Sequence, residues 1–311
     1  IVRWKKDNQE VALFGANYCL PSSCDYRAAG YVNADRKAMV REDMDHFKRM
    51  GWDALRVCFW GDFQNSDPDG HLIDNDHLNM MDYLIAEASK RGIYMLFSPI
   101  VTYDSQFPEM NDNSNTGYAK LFAKNTLIHD EKAIKCQINY MTDILNHINR
   151  YTGRCIKDEP NIIYVEIINE PTQFPNDIPG MVKYINRMCK AIKDTGCKKL
   201  IYYNLSQNFD VAPAIQKSMV DGATYAWYPQ ALNNGHRFMD NGLHFVDRYE
   251  PLVEDGLKGK SRLVYEFDAT DTENGYLLPA MTREYRRGGI QFATMFSYDE
   301  HQTASRNLSW Q

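Results

Sequence analysis

The sequence predicts one α/β domain, residues 1–311, in which parallel strands close into a (β/α)8 barrel. Three observations lead there. Apolar runs of strand length alternate with helical periodicity along the whole chain, the pattern of a parallel sheet. Eight such runs are separated by seven helical stretches, which is what closure requires short of the last helix. One β-branched apolar run, Asn161–Pro171 (NIIYVEIINEP), stops abruptly in Asn169-Glu170 and then in a proline that cannot extend a ladder. Its β-branched residues suit a strand buried on both faces, and its polar end is where such barrels keep their chemistry.

Taken in order, Val11 to Asn17 reads as the first strand, followed by a polar loop through Asn33. A helix is expected from Arg36 to Met50, with Val40, Phe47 and Met50 near helical spacing and Gly51 as its stop. Ala54 to Phe59 is the second strand and carries a charged Arg56. A helix near His77 to Arg91 ends at Gly92, and Ile93 to Ile100 is the third strand. Thr102 to Asp130 is long, polar and aromatic (Tyr103, Phe107, Tyr118, Phe122), the character of a functional loop. A helix from Glu131 to Tyr151 leads into the fourth strand. Further strands fit Lys199 to Asn204, Gly222 to Trp227, Arg262 to Phe267 and Ile290 to Ser297. Helices fit Pro179 to Lys193, Val211 to Val220, Phe245 to Leu257 and Leu277 to Arg287.

Composition narrows the function. A net charge of −6 argues against a general nucleic-acid binder, which needs a basic face. No apolar run approaches the ~20 residues of a membrane span. With 20 Tyr and 5 Trp, aromatics suit either a cleft that stacks sugar rings or the barrel ends and helix seams. None of the seven cysteines forms a Cys-x-x-Cys pair, and the histidines show no metal spacing, so neither a metal nor another cofactor is expected. Cys58 reads as a core thiol, while Cys19 and Cys24 share a loop and could bridge in an oxidising compartment. The chain starts at Ile1 without a leader and stops soon after the eighth strand, so a domain excised from a longer protein is expected, with modules beyond its ends.

A barrel brings all its carboxyl strand ends around one opening. Glu170 ends the fourth strand and Glu266 the seventh, placing two carboxylates across that mouth. Glycosidic hydrolysis needs such a pair: one protonates the leaving oxygen, the other attacks carbon or activates water. Arg56, costly inside an apolar strand without anionic partners, would hold one of them ionised. Glu166 lies four residues before Glu170 on the same face, ~13 Å deeper at ~3.3 Å per residue, and reads as a buried partner of Arg56. Trp60, Trp227 and Tyr298 could stack on sugars or wall the rim. Asp62, Asp268 and Asp299 could bind hydroxyls or lie solvated in loops, and His301 is the histidine placed nearest the site.

Asn169-Glu170-Pro171, Glu266 and Arg56, with Phe14-Gly15-Ala16-Asn17-Tyr18 and Gly51-Trp52-Asp53-Ala54-Leu55-Arg56, together resemble clan A glycoside hydrolases, most nearly family five. The resemblance runs over all eight strands. It implies a retaining β-glycosidase with Glu170 as acid/base and Glu266 as nucleophile, Asn169 on the sugar 2-hydroxyl, Arg56 orienting Glu266 and Tyr228 donating to it. The family's His-x-Tyr after strand six is here Ala226-Trp227-Tyr228, without the histidine. The histidine after strand three, the tryptophan after strand eight and the glycine after the nucleophile are also replaced, the last two by Tyr298-Asp299 and Asp268.

Gly15-x-Asn17-Tyr18 is similar to mannan-active relatives, so a mannan- or glucan-type β-glycan, or its oligosaccharides, is the expected substrate and secretion, to the periplasm, cell surface or medium, the expected fate. Asn17, Tyr18, Trp60, Trp227, Asp268 and Tyr298 are the expected sugar contacts. A β-galactosidase of the clan is the nearest alternative, and a barrel that binds carbohydrate without cleaving it is the alternative from another class. A metal-dependent sugar isomerase fits less well, because metal-ligand types do not cluster at strand ends. In a retaining enzyme the two carboxyls stand ~5–5.5 Å apart. The acid of the pair should carry the raised pKa and the nucleophile the lowered one.

Overall fold

The computed structural model describes residues 1–101, 115–229, 242–249, 255–268 and 275–305. Tyr103, Phe107 and the rest of 102–114 lie outside the described residues, as do 250–254 of the expected Phe245–Leu257 helix. On either side of that gap the backbone forms 3-10 turns, Gly242–Arg248 and Asp255–Leu257, rather than an α-helix.

The strands are β1 Leu13–Asn17, β2 Ala54–Cys58, β3 Tyr94–Ser98, β4 Ile162–Glu166, β5 Leu200–Asn204, β6 Gly222–Trp227, β7 Ser261–Phe267 and β8 Phe292–Met295. They pair in parallel in chain order, and β8 closes on β1. The helices are α1 Ser23–Tyr31, α2 Arg36–Met50, α3 Gly61–Gln64, α4 Asp76–Lys90, α5 Glu131–Asn146, α6 Ile178–Asp194, α7 Ala212–Lys217, α8 Leu277–Gly288 and α9 His301–Ala304. The loop expected after the first strand therefore contains α1. Asp35, Asn75, Asp130 and Asp177 cap α2, α4, α5 and α6 by accepting first-turn N–H groups. Gly51 closes α2 in the left-handed region at φ +76°, which its missing Cβ permits.

Strand alternation sorts side chains into two layers. Val57, Met95, Val165, Ile201, Tyr225, Val264 and Ala293 face outward and pack against helix residues such as Met44, Leu84, Ile144 and Ile185. Leu13, Ala54, Leu96, Tyr164, Tyr202, Ala226, Leu263 and Phe292, from the eight strands in turn, fill the interior. Gly15 is required where β1 meets β2: a Cβ there would lie 1.8 Å from the Ala54 carbonyl oxygen. All seven cysteines are free, so Cys19 and Cys24 are separate thiols.

One irregularity matters for the site. Tyr225 pairs with Val264 but the next residue, Ala226, pairs with Glu266, so β7 carries one extra residue, a β-bulge at Tyr265. Val264 and Phe267 both face the helices, and between them Tyr265 joins the interior cluster.

Candidate active site

Arg56 is the hub. It alternates inward from β2, is fully buried, and can remain so because four acceptors surround it. Its Nη2 donates to Glu166 Oε2 at 2.6 Å and Asn169 Oδ1 at 2.7 Å. Its Nη1 donates to Asn17 Oδ1 at 3.0 Å and Glu266 Oε1 at 3.2 Å. Burial alone would lower its pKa, but the facing Glu166 and Glu266 carboxylates hold it well above the ordinary arginine value. The guanidinium also lies over the Tyr265 ring, 4.4 Å from its centroid.

Glu166 is the buried partner of Arg56 that the sequence suggests. One nitrogen of Arg56 reaches both Glu166 and Asn169, so the chain does not run on extended for four residues. β4 ends at Glu166, and Glu170 sits at φ +40°, a strained conformation for a non-glycine residue of the kind found at functional sites. Glu166 also accepts from Asn204 Nδ2 at 3.1 Å and from the Thr224 hydroxyl, so β2, β5 and β6 converge on it.

Glu266 accepts from the Tyr228 hydroxyl at 2.9 Å as well as from Arg56. Glu170 is half-buried and receives the Tyr265 hydroxyl on Oε1 at 2.5 Å. Burial first, then the Glu170 charge, pushes Glu266 up to about 8, against the pull of Arg56 and Tyr228. This reverses the expected lowering for that residue. The reason is geometric: Arg56 makes its shorter contact with the fully buried Glu166, leaving Glu266 at 3.2 Å with less compensation beside another carboxylate. With its value pushed to about 8, Glu266 keeps its proton near neutrality in the free protein.

Asn17 and Tyr18 are not cleft groups. Both are fully buried. Asn17 donates to the carbonyls of Tyr265 at 2.8 Å and Met295 at 3.0 Å, and Tyr18 donates to Asp43 at 2.7 Å. Tyr298 also turns from the barrel axis. Its hydroxyl meets Asp43 and His46, and its ring packs on Phe47 of α2. His301 follows it, donating its backbone N–H to Asp43. Trp227 faces outward, stacked on Tyr249 at 4.4 Å; its exposed edge lines a cavity of about 270 Å³ shared with Gln207, Phe209, Tyr228 and Phe245. Trp60 is nearly buried against Cys58, Phe63, Val101 and Ala119, Asp62 accepts the Val101 N–H, and Asp268 lies half-buried where β7 ends.

Two residues had escaped the sequence reading. Phe296 is the aromatic on the cleft side of β8, packed against the interior cluster; its signal is the alternation Phe292, Thr294, Phe296. Tyr265 stands next to Glu266, so simple alternation would send it to the opposite face, and only the bulge brings both inward. Among the described residues no group of three or more His, Cys, Asp or Glu is placed to hold a metal, and no helix is long and apolar enough to cross a membrane.

A closed parallel barrel with two carboxylates at its carboxyl rim is the architecture of a barrel enzyme. A family model described as Cellulase (glycosyl hydrolase family 5) matches residues 4–243, and the chain belongs to that family. It is 25% identical over 201 residues to mannan endo-1,4-beta-mannosidase 3 of Arabidopsis thaliana, covering 62% of this chain and 47% of that protein. The chain spans less than two thirds of the length of the curated relatives it matches. Among solved structures, the endo-beta-1,4-mannanase from Thermotoga petrophila superposes with a TM-score of 0.67 at 16% identity, over 94% of this chain and 69% of that one. An exo-beta-1,4-mannosidase from Opitutaceae bacterium strain TAV5 superposes with a TM-score of 0.67 at 18% identity, over 99% and 56%. These likenesses establish the same fold.

Proposed function

We propose that this chain is a secreted retaining hydrolase that cleaves β-1,4-mannan or its oligosaccharides, with Glu170 as acid/base and Glu266 as nucleophile. The observation that carries the reading is the single network joining both carboxylates at the barrel mouth: Glu266 to Arg56 and Tyr228, and Glu170 to Tyr265 beneath the same guanidinium. Mannan is favoured because the relatives from rice and Arabidopsis are named as mannan endo-1,4-beta-mannosidases.

For the reaction, the proton of the pair must stand on Glu170 while Glu266 is ionised, which Arg56 and Tyr228 favour by donating to it. Glu170 gives its proton to the glycosidic oxygen as that bond to the anomeric carbon breaks. A Glu266 oxygen bonds the same carbon, giving a covalent glycosyl-enzyme. Glu170, now a carboxylate, takes a proton from water, whose oxygen displaces Glu266 and regenerates the starting forms. Asn169 is held by Arg56 at the rim beside the reacting sugar, where it would meet the 2-hydroxyl. Trp60, Asp268 and Phe296 are the remaining candidates to line the cleft.

The test is a panel of aryl β-glycosides (mannoside, glucoside, galactoside, xyloside) beside their polymers, with Glu266→Gln as control. Cleavage of mannan or a β-mannoside, abolished in the variant, is the expected result. Selective cleavage of a galactoside would move the assignment to a β-galactosidase, and binding without turnover would make the barrel a carbohydrate-binding module.

A further inference from the structure

Tyr265 has no role in the mechanism above, yet it touches both halves of the machinery. It is fully buried, its hydroxyl lies 2.5 Å from Glu170 Oε1, and its ring underlies Arg56, the residue that holds Glu266. Its backbone is pinned as firmly as its side chain. The carbonyl of this bulged residue accepts from Asn17 Nδ2 at 2.8 Å and Thr294 Oγ1 at 2.7 Å, which fixes the bulge between β1 and β8. Such support on three sides preorganises a polar group.

We propose that Tyr265 is a positioning residue that strengthens Glu170 as an acid by holding its carboxylate, and that the β7 bulge exists to bring it there. The proposal rests on the acid/base assignment of Glu170. A phenol O–H donated to a carboxylate stabilises the anion over the neutral acid. With Oε1 engaged, the transferable proton belongs on the other carboxyl oxygen, and the bond to Tyr265 strengthens as that proton leaves and charge develops. In the free protein this donated bond stands beside a Glu266 carboxyl that burial has pushed up to about 8. The charged and titratable groups around this contact are Arg56 and Cys58 from β2, Glu166 from β4, Tyr228 just after β6 and Glu266 from β7.

Tyr265→Phe removes the hydroxyl and keeps the ring on Arg56, so it isolates the contact. The first readout needs no substrate: a 13C NMR titration of the glutamate carboxyl carbons in the free protein, assigned with Glu170→Gln and Glu266→Gln. The first deprotonation of the pair, the step that creates the Glu170 carboxylate Tyr265 holds while Glu266 keeps its proton, is expected to move up by about one pH unit in Tyr265→Phe, the scale of a hydrogen bond to a charged group. The second readout compares β-1,4-mannotetraose, whose leaving group needs a proton, with 2,4-dinitrophenyl β-mannobioside, whose leaving group does not. The variant should lose about tenfold more kcat/KM on the tetraose than on the dinitrophenyl glycoside. An unchanged titration with equal losses on both substrates would leave Tyr265 a packing residue and overturn the proposal. Failure of the underlying assignment reads differently: Glu170→Ala would then cleave both substrates as well as the unaltered protein.

Discussion

Removing Arg56 should damage stability and activity through separable routes. The guanidinium and the Glu166 side chain are both fully buried and meet at 2.6 Å. Arg56→Met keeps the stem volume but leaves Glu166 with only Asn204 and Thr224 as donors and no counter-charge. Breaking one partner from a buried pair costs ~3–5 kcal/mol. For a chain of 311 residues this is a fall of about 5–8 °C in Tm. Adding Glu166→Gln removes the stranded charge and should restore most of the loss. A residue of about 1–2 kcal/mol should remain for the lost bonds to Asn17 and Asn169. Activity follows the other partner. With Glu266 no longer held, kcat should fall about 100-fold or more in both variants and not recover. Urea unfolding of the wild type, both single variants and the double variant gives the coupling energy, and the aryl-glycoside assay gives the second half. If Arg56→Met lies within about 1 kcal/mol of wild type, or Glu166→Gln restores nothing, the guanidinium is not the counter-charge of Glu166 and the reasoning fails.

Two further outcomes follow from the same geometry. Glu266 at about 8 is raised above the unfolded carboxyl value of about 4.3, so its contribution to stability is present at low pH and is lost as pH rises toward 8. The Tm of Glu266→Gln should therefore match wild type near pH 4, draw ahead of it as pH rises from there, and exceed it most near pH 8.5, whereas a gap independent of pH would contradict the raised value. Tyr298→Phe gives up the hydroxyl bonds to Asp43 and His46 and should cost about 1–2 kcal/mol with KM unchanged, while Phe296→Ala should raise KM. A KM effect from Tyr298→Phe would return that residue to the cleft.

The barrel was legible because each strand is short, apolar and bounded by turn residues, and because helix stops such as Gly51 are local signals. The expected helix at Arg36–Met50 and the strand at Gly222–Trp227 agree with the structure to the residue. Glu170, Glu266, Arg56 and Tyr228 could be placed at one mouth for the same reason: closure carries every strand's carboxyl end there, whatever lies between. Those positions need only strand order and local polarity.

What needed the tertiary structure is every feature set by register and by the direction of a side chain after a strand ends. Asn17 and Tyr18 look like cleft residues from their place after β1, yet one spans three strands inside the barrel and the other turns to α2. Tyr298 and Phe296 differ by two positions but lie on opposite sides of the wall. Glu166 and Asn169 share one nitrogen of Arg56 because the strand stops between them. The deepest case is Tyr265. One inserted residue in β7 reverses the alternation that any sequence reading must assume, and a bulge depends on what the neighbouring strands pair with. The sequence alone determined the barrel and which acids reach its mouth, because those follow from local patterning and chain order. Only the folded barrel decided that Glu266 is pushed up and that Tyr265 meets Glu170, because burial and pairing register are properties of eight strands together.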